Sequence, residues 1–170
     1  MAEVQAGPDV AQFKRALGLW ASGVTVVTTT TNGLAYSMTA SSFASLSVEP
    51  LMVLICVAKA ATLHELLVEA GAFAVNILRD DQRGLAETFA RSGREPVARL
   101  EGVETFAGPT GSPIFKPCLA YLDCQLAALY DAGDHSIAVG SVKAVGSDES
   151  GSPLLYYNRS YRAITDLDGR

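Results

Sequence analysis

The sequence predicts a β-rich α+β domain with separated strands, short helices between them, and a closed or partly closed barrel that is largely antiparallel. Three observations carry this expectation. Gly23 to Thr30 is β-branched almost throughout, which suits a pleated strand better than a helix. Asn32-Gly33 follows at once and supplies the positive-φ dipeptide of a tight hairpin. Helices do not alternate regularly with strands, and no Gly-x-Gly-x-x-Gly follows a strand, so a doubly wound dinucleotide fold is disfavoured.

Asp9 is placed to cap a helix from Val10 to about Trp20, with Phe13, Leu17 and Trp20 on one face. After the hairpin the chain returns through Leu34 to Met38. Ala44 to Val48 reads as a strand stopped by Glu49-Pro50, and Leu51 to Val57 as a buried central strand. Thr62-Leu63-His64-Glu65 reads as a capping box that opens a helix, and Gly71 closes it. Phe73 to Leu78 is a short strand, and Asp80 or Asp81 caps a helix running to Phe89. Arg91 to Pro117, rich in Gly, Pro and charge, reads as one long loop. Leu119 to Tyr130 alternates, with Ala120, Leu122, Cys124, Leu126 and Ala128 on one face. Asp131-Ala132-Gly133 turns the chain into a strand from His135 to Val145. Gly146 to Pro153 is a loop, and Leu154 to Tyr157 the last strand.

With 170 residues and no internal repeat, the expectation is a single domain over 1–170 with its core at about 10–165. Hydrophobic residues make up 49% and charged ones 18%, which places the chain among folded globular proteins. The formal net charge of −5 argues against nucleic acid as a partner. Arg91, Arg94 and Arg99 form one local basic cluster, read as a solvated loop or a phosphate contact. Cys56, Cys118 and Cys124 are odd in number and form no Cys-x-x-Cys pair, so a reducing cytoplasm is expected. Met1 to Gln5 lacks the pattern of a signal peptide, and no apolar run is long enough to span a membrane.

Ser37-Met38-Thr39-Ala40-Ser41-Ser42-Phe43 is the most informative segment. Its small, hydroxyl-bearing residues would let backbone amides approach a flat polar ligand closely. The start of the helix at Thr62, with Lys59 just outside it, reads either as a phosphate site or as a capped surface helix. Asn76 and Gln82 are placed either to bond a heterocycle edge or to bond local backbone. His135 follows Asp134 after a glycine turn and reads as a general acid, a recognition residue or a structural hydrogen-bonding group. Ser41 or Ser42 with His135 and Asp134 makes a poor hydrolase triad, because adjacent residues of a strand point to opposite faces. No ligand spacing for a metal is evident.

Five segments in register carry a resemblance to the flavin reductase family of the FMN-binding split-barrel superfamily. They are Ala21 to Thr28, Met38 to Phe43, Phe73 to Leu78, Gly133-Asp134-His135, and Pro153 to Tyr157. The resemblance runs from Phe13 to about Arg162. It implies a Greek-key split β-barrel with short flanking helices, assembled as a homodimer. The implied activity is that of an NAD(P)H:flavin oxidoreductase: hydride passes from NADH or NADPH to FMN or FAD. A separate oxygenase would receive reduced flavin by diffusion.

Carried over by position, Ser37, Met38, Thr39, Ala40, Ser41 and Ser42 would line the isoalloxazine. Cys56, Val57, Ala58, Lys59 and Thr62 would hold the ribityl chain and phosphate. Asn76, Gln82 and Phe89 would complete the flavin pocket. Gly133, Asp134 and His135, with Tyr157, Arg159 and Tyr161, would face the nicotinamide nucleotide, His135 as a positioning residue. Two departures from the family pattern stand out. Ser37 replaces a common glycine, and Ala60-Ala61 replace a serine that often precedes the capping threonine. The second implies a loosely held, exchanging flavin. A non-enzymatic flavin- or heme-binding split barrel and a pyridoxamine-phosphate-oxidase-type enzyme are the rivals, and neither needs the Gly133-Asp134-His135 motif.

Overall fold

The computed structural model describes residue 7, residues 9–91 and residues 100–165. The expectations for Met1 to Gln5 and for Arg94 and Arg99 lie outside the described residues. In chain order the elements are α1 (Val10–Gly18), β1 (Ser22–Gly23), β2 (Thr25–Thr31), β3 (Leu34–Ala40), β4 (Phe43–Val48), β5 (Leu51–Ala58) and α2 (Thr62–Ala70). Then come β6 (Ala72–Ile77), a 3-10 turn (Asp80–Gln82), α3 (Arg83–Phe89), β7 (Thr105–Ala107), β8 (Pro113–Phe115), β9 (Ala120–Ala132), β10 (His135–Ser147), β11 (Leu155–Tyr157) and β12 (Ser160–Arg162).

Seven strands form one antiparallel sheet in the order β3-β2-β6-β9-β10-β5-β4. Its two edges, β3 and β4, do not pair with each other, so the barrel is split rather than closed. Two small sheets, β1-β11-β12 and β7-β8, stand beside it. The β2–β3 hairpin turns on Asn32 (φ 52) and Gly33 (φ 74), both left-handed as a two-residue loop of this twist requires.

Strand β2 is buried on both faces, because one core lies on each side of it. Val27 faces a core shared with Ile55, Leu67, Phe73 and Val75, and Val26 faces one shared with Leu78, Phe89 and Phe115. Burying hydroxyls there costs stability unless each finds an acceptor. Thr25 donates to Ala40 O at 2.8 Å, Thr28 to Pro113 O at 2.5 Å and Thr29 to Ala72 O at 2.7 Å. Gly140 sits where β10 slips register against β9. A Cβ there would come within 2.6 Å of the Phe73 ring and 2.8 Å of Cys124 Cβ, so only hydrogen fits.

Several expectations are corrected. The Arg91–Pro117 stretch is not structureless: β7 and β8 form a hairpin within it, and Pro113–Phe115 is fully buried. Thr110 anchors that hairpin by donating its N–H (2.8 Å) and hydroxyl (2.5 Å) to the buried Asp123. Thr62 does not cap α2: Ala61 holds the N-cap position and no side chain bonds the helix start. Asp9 stands at the N-cap of α1 without a side-chain bond. Neither Asp80 nor Asp81 caps α3; Arg79 N–H instead donates to Gln82 Oε1 at 2.9 Å. A further strand, β12, follows β11 and extends the fold past the expected last strand.

Candidate active site

The motif Ser37 to Ser42 is strand, then break. Ser37 to Ala40 belong to β3, where Ser37 and Ala40 are buried and Met38 packs on the core. Thr39 Oγ1 donates to Ala86 O at 2.8 Å and so ties β3 to α3. Only Ser41 and Ser42 lie in the break before β4. Ser42 Oγ donates to Cys56 O at 2.7 Å, and Cys56 N–H donates to Ser42 O at 3.3 Å. This double contact sets the serines directly over the last residues of β5.

A groove of about 630 Å³ opens at this point. Ser41, Ser42, Phe43 and Cys56 line one side, and Tyr156 and Arg159 another. The third wall is α1, through Lys14 and Leu17, with Trp20 just past its end; the sequence did not single these out as site residues. The sequence signal was the apolar face of Phe13, Leu17 and Trp20, and in the structure no residue of α1 is buried. Such a face needs something other than the core of its own chain.

Pairing of β5 with β10 brings the remaining segments to the same end of the sheet. His135 stands opposite Ala58, Ser136 opposite Val57 and Ile137 opposite Cys56. Lys59 N–H donates to Asp134 O at 3.0 Å, and its ammonium pairs with Asp131 on the surface. His64, from the first turn of α2, lies 2.9 Å from Ser136 Oγ through Nε2. Gly133 turns the chain at φ 69. The start of α2, with exposed Thr62, thus adjoins the Gly133–His135 turn. That helix start presents the positive end of a dipole and no capping side chain, which suits an anion.

The expected divergence of Asp134 and His135 does not occur. Asp134 sits in the turn rather than in β10, and its Oδ1 lies 2.7 Å from His135 Nδ1. That hydrogen bond, with the attraction of the imidazole, holds the Asp134 carboxyl below the usual carboxylate range. Among the described residues no hydrogen bond joins Ser41 or Ser42 to His135, so no hydrolytic triad is assembled.

Three expected pocket residues face inward instead. Asn76 is wholly buried, donates to Val26 O (3.1 Å) and Thr28 Oγ1 (3.2 Å), and accepts from Phe115 N–H (2.8 Å). Gln82 Nε2 donates to Pro117 O at 2.7 Å while its Oε1 accepts from Arg79. Phe89 is buried against Phe115 with ring centroids 5.5 Å apart. These residues brace the wall behind β3, and the side-chain amides of Asn76 and Gln82 are already committed. Tyr161 stacks edge-on with Tyr156 at 5.3 Å, Tyr157 is exposed, and Arg159 sits at the β11–β12 turn in a left-handed conformation (φ 60).

Residues 17–165 match the family model described as "Flavin reductase like domain". The chain is 43% identical over 152 residues to the 4-hydroxyphenylacetate 3-monooxygenase reductase component of Thermus thermophilus, covering 89% of this chain and 95% of the relative. It is 38% identical over 153 residues to FMN reductase (NADH) SmoA of Agrobacterium fabrum, covering 90% and 85%. The solved Streptomyces globisporus C-1027 NADH:FAD oxidoreductase SgcE6, in complex with NAD and FAD fragments, superposes with a TM-score of 0.88. Its identity is 33%, over 99% of this chain and 100% of that one.

Proposed function

Because this chain belongs to the flavin reductase-like family, we infer from its site that it is an NAD(P)H-dependent flavin reductase, the component that supplies reduced flavin to a monooxygenase. The observation that carries the assignment of residues is the β5–β10 register. It puts the Gly133–His135 turn, the Cys56–Lys59 segment and the Ser41–Ser42 break at one end of one sheet. Flavin and nicotinamide nucleotide together supply the hydride chemistry, and the protein supplies position and a dry surface.

The residues fit that task. Ser41 and Ser42 present small side chains and backbone at the floor of the groove, so a planar ring approaches without a clash. The uncapped start of α2 takes the flavin phosphate, with Thr62 as an added hydroxyl. Lys59 contributes through its charge and by fixing the Asp134 carbonyl. His135, oriented by Asp134, positions the nicotinamide over the flavin face. Tyr157, Arg159 and Tyr161 flank the nucleotide. Asn76, Gln82 and Phe89 act from behind, by holding β3 and α3 in place.

The protein works as a single-domain homodimer joined through the apolar edge around β4, where Leu46, Val48 and Leu51 are exposed. Reduced flavin reaches the oxygenase by diffusion. Three free thiols favour a cytoplasmic site of action, and no helix among the described residues is long and apolar enough to cross a membrane. Absorbance at the NADH band, followed with and without added FMN or FAD, tests the activity. Flavin-dependent consumption is expected; its absence with both NADH and NADPH overturns the assignment. His135→Ala should raise the nicotinamide KM, and an unchanged KM and kcat would remove His135 from the site.

A further inference from the structure

The groove holds more than the ring site needs. Its outer wall, α1, carries Lys14, Leu17 and Gly18 at helical spacing, so they share one face. That face is fastened to the β11–β12 turn by a 2.7 Å hydrogen bond from Asn158 N–H to Gly18 O. Lys14 stands one helical turn, about 5.4 Å, from that contact. Arg159 follows it by one residue. The two cations therefore flank one seam. Neither enters an ion pair among the described residues. Among the described residues no carboxylate lines the groove, although the chain as a whole carries a net charge of −5. Beside them Trp20, 78% exposed, presents an indole to the same groove.

Two unpaired cations beside an exposed aromatic plane match a diphosphate joined to a heterocycle. We propose that Lys14, Trp20 and Arg159 form a subsite for the adenosine diphosphate half of a dinucleotide, the cations on the pyrophosphate and the indole against adenine. The subsite rests on the flavin reductase reading and extends it: α1 would discriminate dinucleotides from mononucleotides. The adenosine diphosphate half belongs to FAD or to the nicotinamide dinucleotide, and one experiment separates the two sources.

Trp20 is the only tryptophan, so its emission reports on the subsite without any turnover. ADP titrated into the purified protein should quench it saturably. Lys14→Glu should weaken that quench at least about fivefold, as loss of one partly exposed charge contact implies, and Lys14→Arg should retain it. In turnover, a Lys14→Glu protein whose KM rises for FAD but not for FMN or riboflavin assigns the subsite to the flavin. A KM that rises for NADH but not for reduced nicotinamide mononucleotide assigns it to the hydride donor. The proposal is overturned by an absent ADP quench, by equal KM values in wild type and Lys14→Glu, or by a Lys14→Glu protein that turns monomeric, which would make α1 a contact between copies. Failure of wild type to oxidise NADH with any flavin would instead sink the reductase reading, and the ADP titration would still judge the subsite.

Discussion

Arg159 is held at φ 60 beside Asn158 at φ 46, the two central residues of the β11–β12 hairpin. Asn tolerates this region, whereas an arginine there carries a steric penalty of about 1–2 kcal/mol. Arg159→Gly removes the penalty but adds about 0.5–1 kcal/mol of chain entropy to the unfolded state. Arg159→Ala removes the same guanidinium and keeps the penalty. The glycine variant should therefore be the more stable of the two by roughly 0.5–1 kcal/mol, or about 1–4 °C in Tm for a chain of this size. Both should lose the same nucleotide contact, with KM for the dinucleotide raised about fivefold or more in each. Thermal unfolding by circular dichroism and steady-state NADH oxidation read the two effects separately. An alanine variant as stable as the glycine variant would refute the strain. A KM raised in one variant alone would show that turn geometry, not the side chain, governs binding.

Ala61→Ser places a hydroxyl at an N-cap whose backbone (φ −79, ψ 135) already suits it; a gain of about 1 kcal/mol is expected from denaturant unfolding, and tighter FMN with unchanged riboflavin binding from fluorescence titration. Burial pushes the Cys118 thiol up to about 11 and the Cys124 thiol up to about 12, so only about a thousandth or less of each is thiolate at pH 8. Mass spectrometry after brief iodoacetamide treatment should find Cys56 labelled first, and FMN should slow that labelling because Cys56 lines the groove. Gly140→Ala forces a methyl against Phe73 and Cys124 and should cost about 1–3 kcal/mol in urea unfolding with kcat largely retained in the folded fraction. The Asp134 carboxyl is depressed, so its contribution is full above its unfolded value near 3.8 and lost only as pH falls through the lower folded value. Asp134→Asn removes the acceptor that orients His135 and should raise the nicotinamide KM in steady-state NADH oxidation at saturating flavin; an unchanged KM would show that the Asp134–His135 contact does not position the nucleotide.

Local signals made the strands legible. The threonine and valine run, Asn32-Gly33 and the alternation of β9 each specify their own backbone. The β7–β8 hairpin escaped because its anchors are distant in the chain: Thr28 Oγ1 meets Pro113 O, and Asn76 Oδ1 meets Phe115 N–H. For the same reason Asn76 was readable as a polar strand-end residue but not as one already satisfied, since Val26 and Thr28 lie some fifty residues earlier. Thr62 misled because a hydroxyl one residue inside the helix has the composition of a cap without its position. Asp134 misled because a strand's alternation was extended one residue into a turn. Lys14 carried no motif and Trp20 read only as part of an apolar helix face; the fastening of Gly18 to Asn158 gives them a place in the groove.

The pairing of His135 with Ala58 has an evolutionary consequence. Strand register changes only in whole residues, and each step turns alternate side chains to the opposite face. A single-residue insertion or deletion between Val53 and Ala58, or between His135 and Gly140, would swap the hydrophobic and groove-facing sets together. Length should thus be fixed in these two stretches across functional descendants.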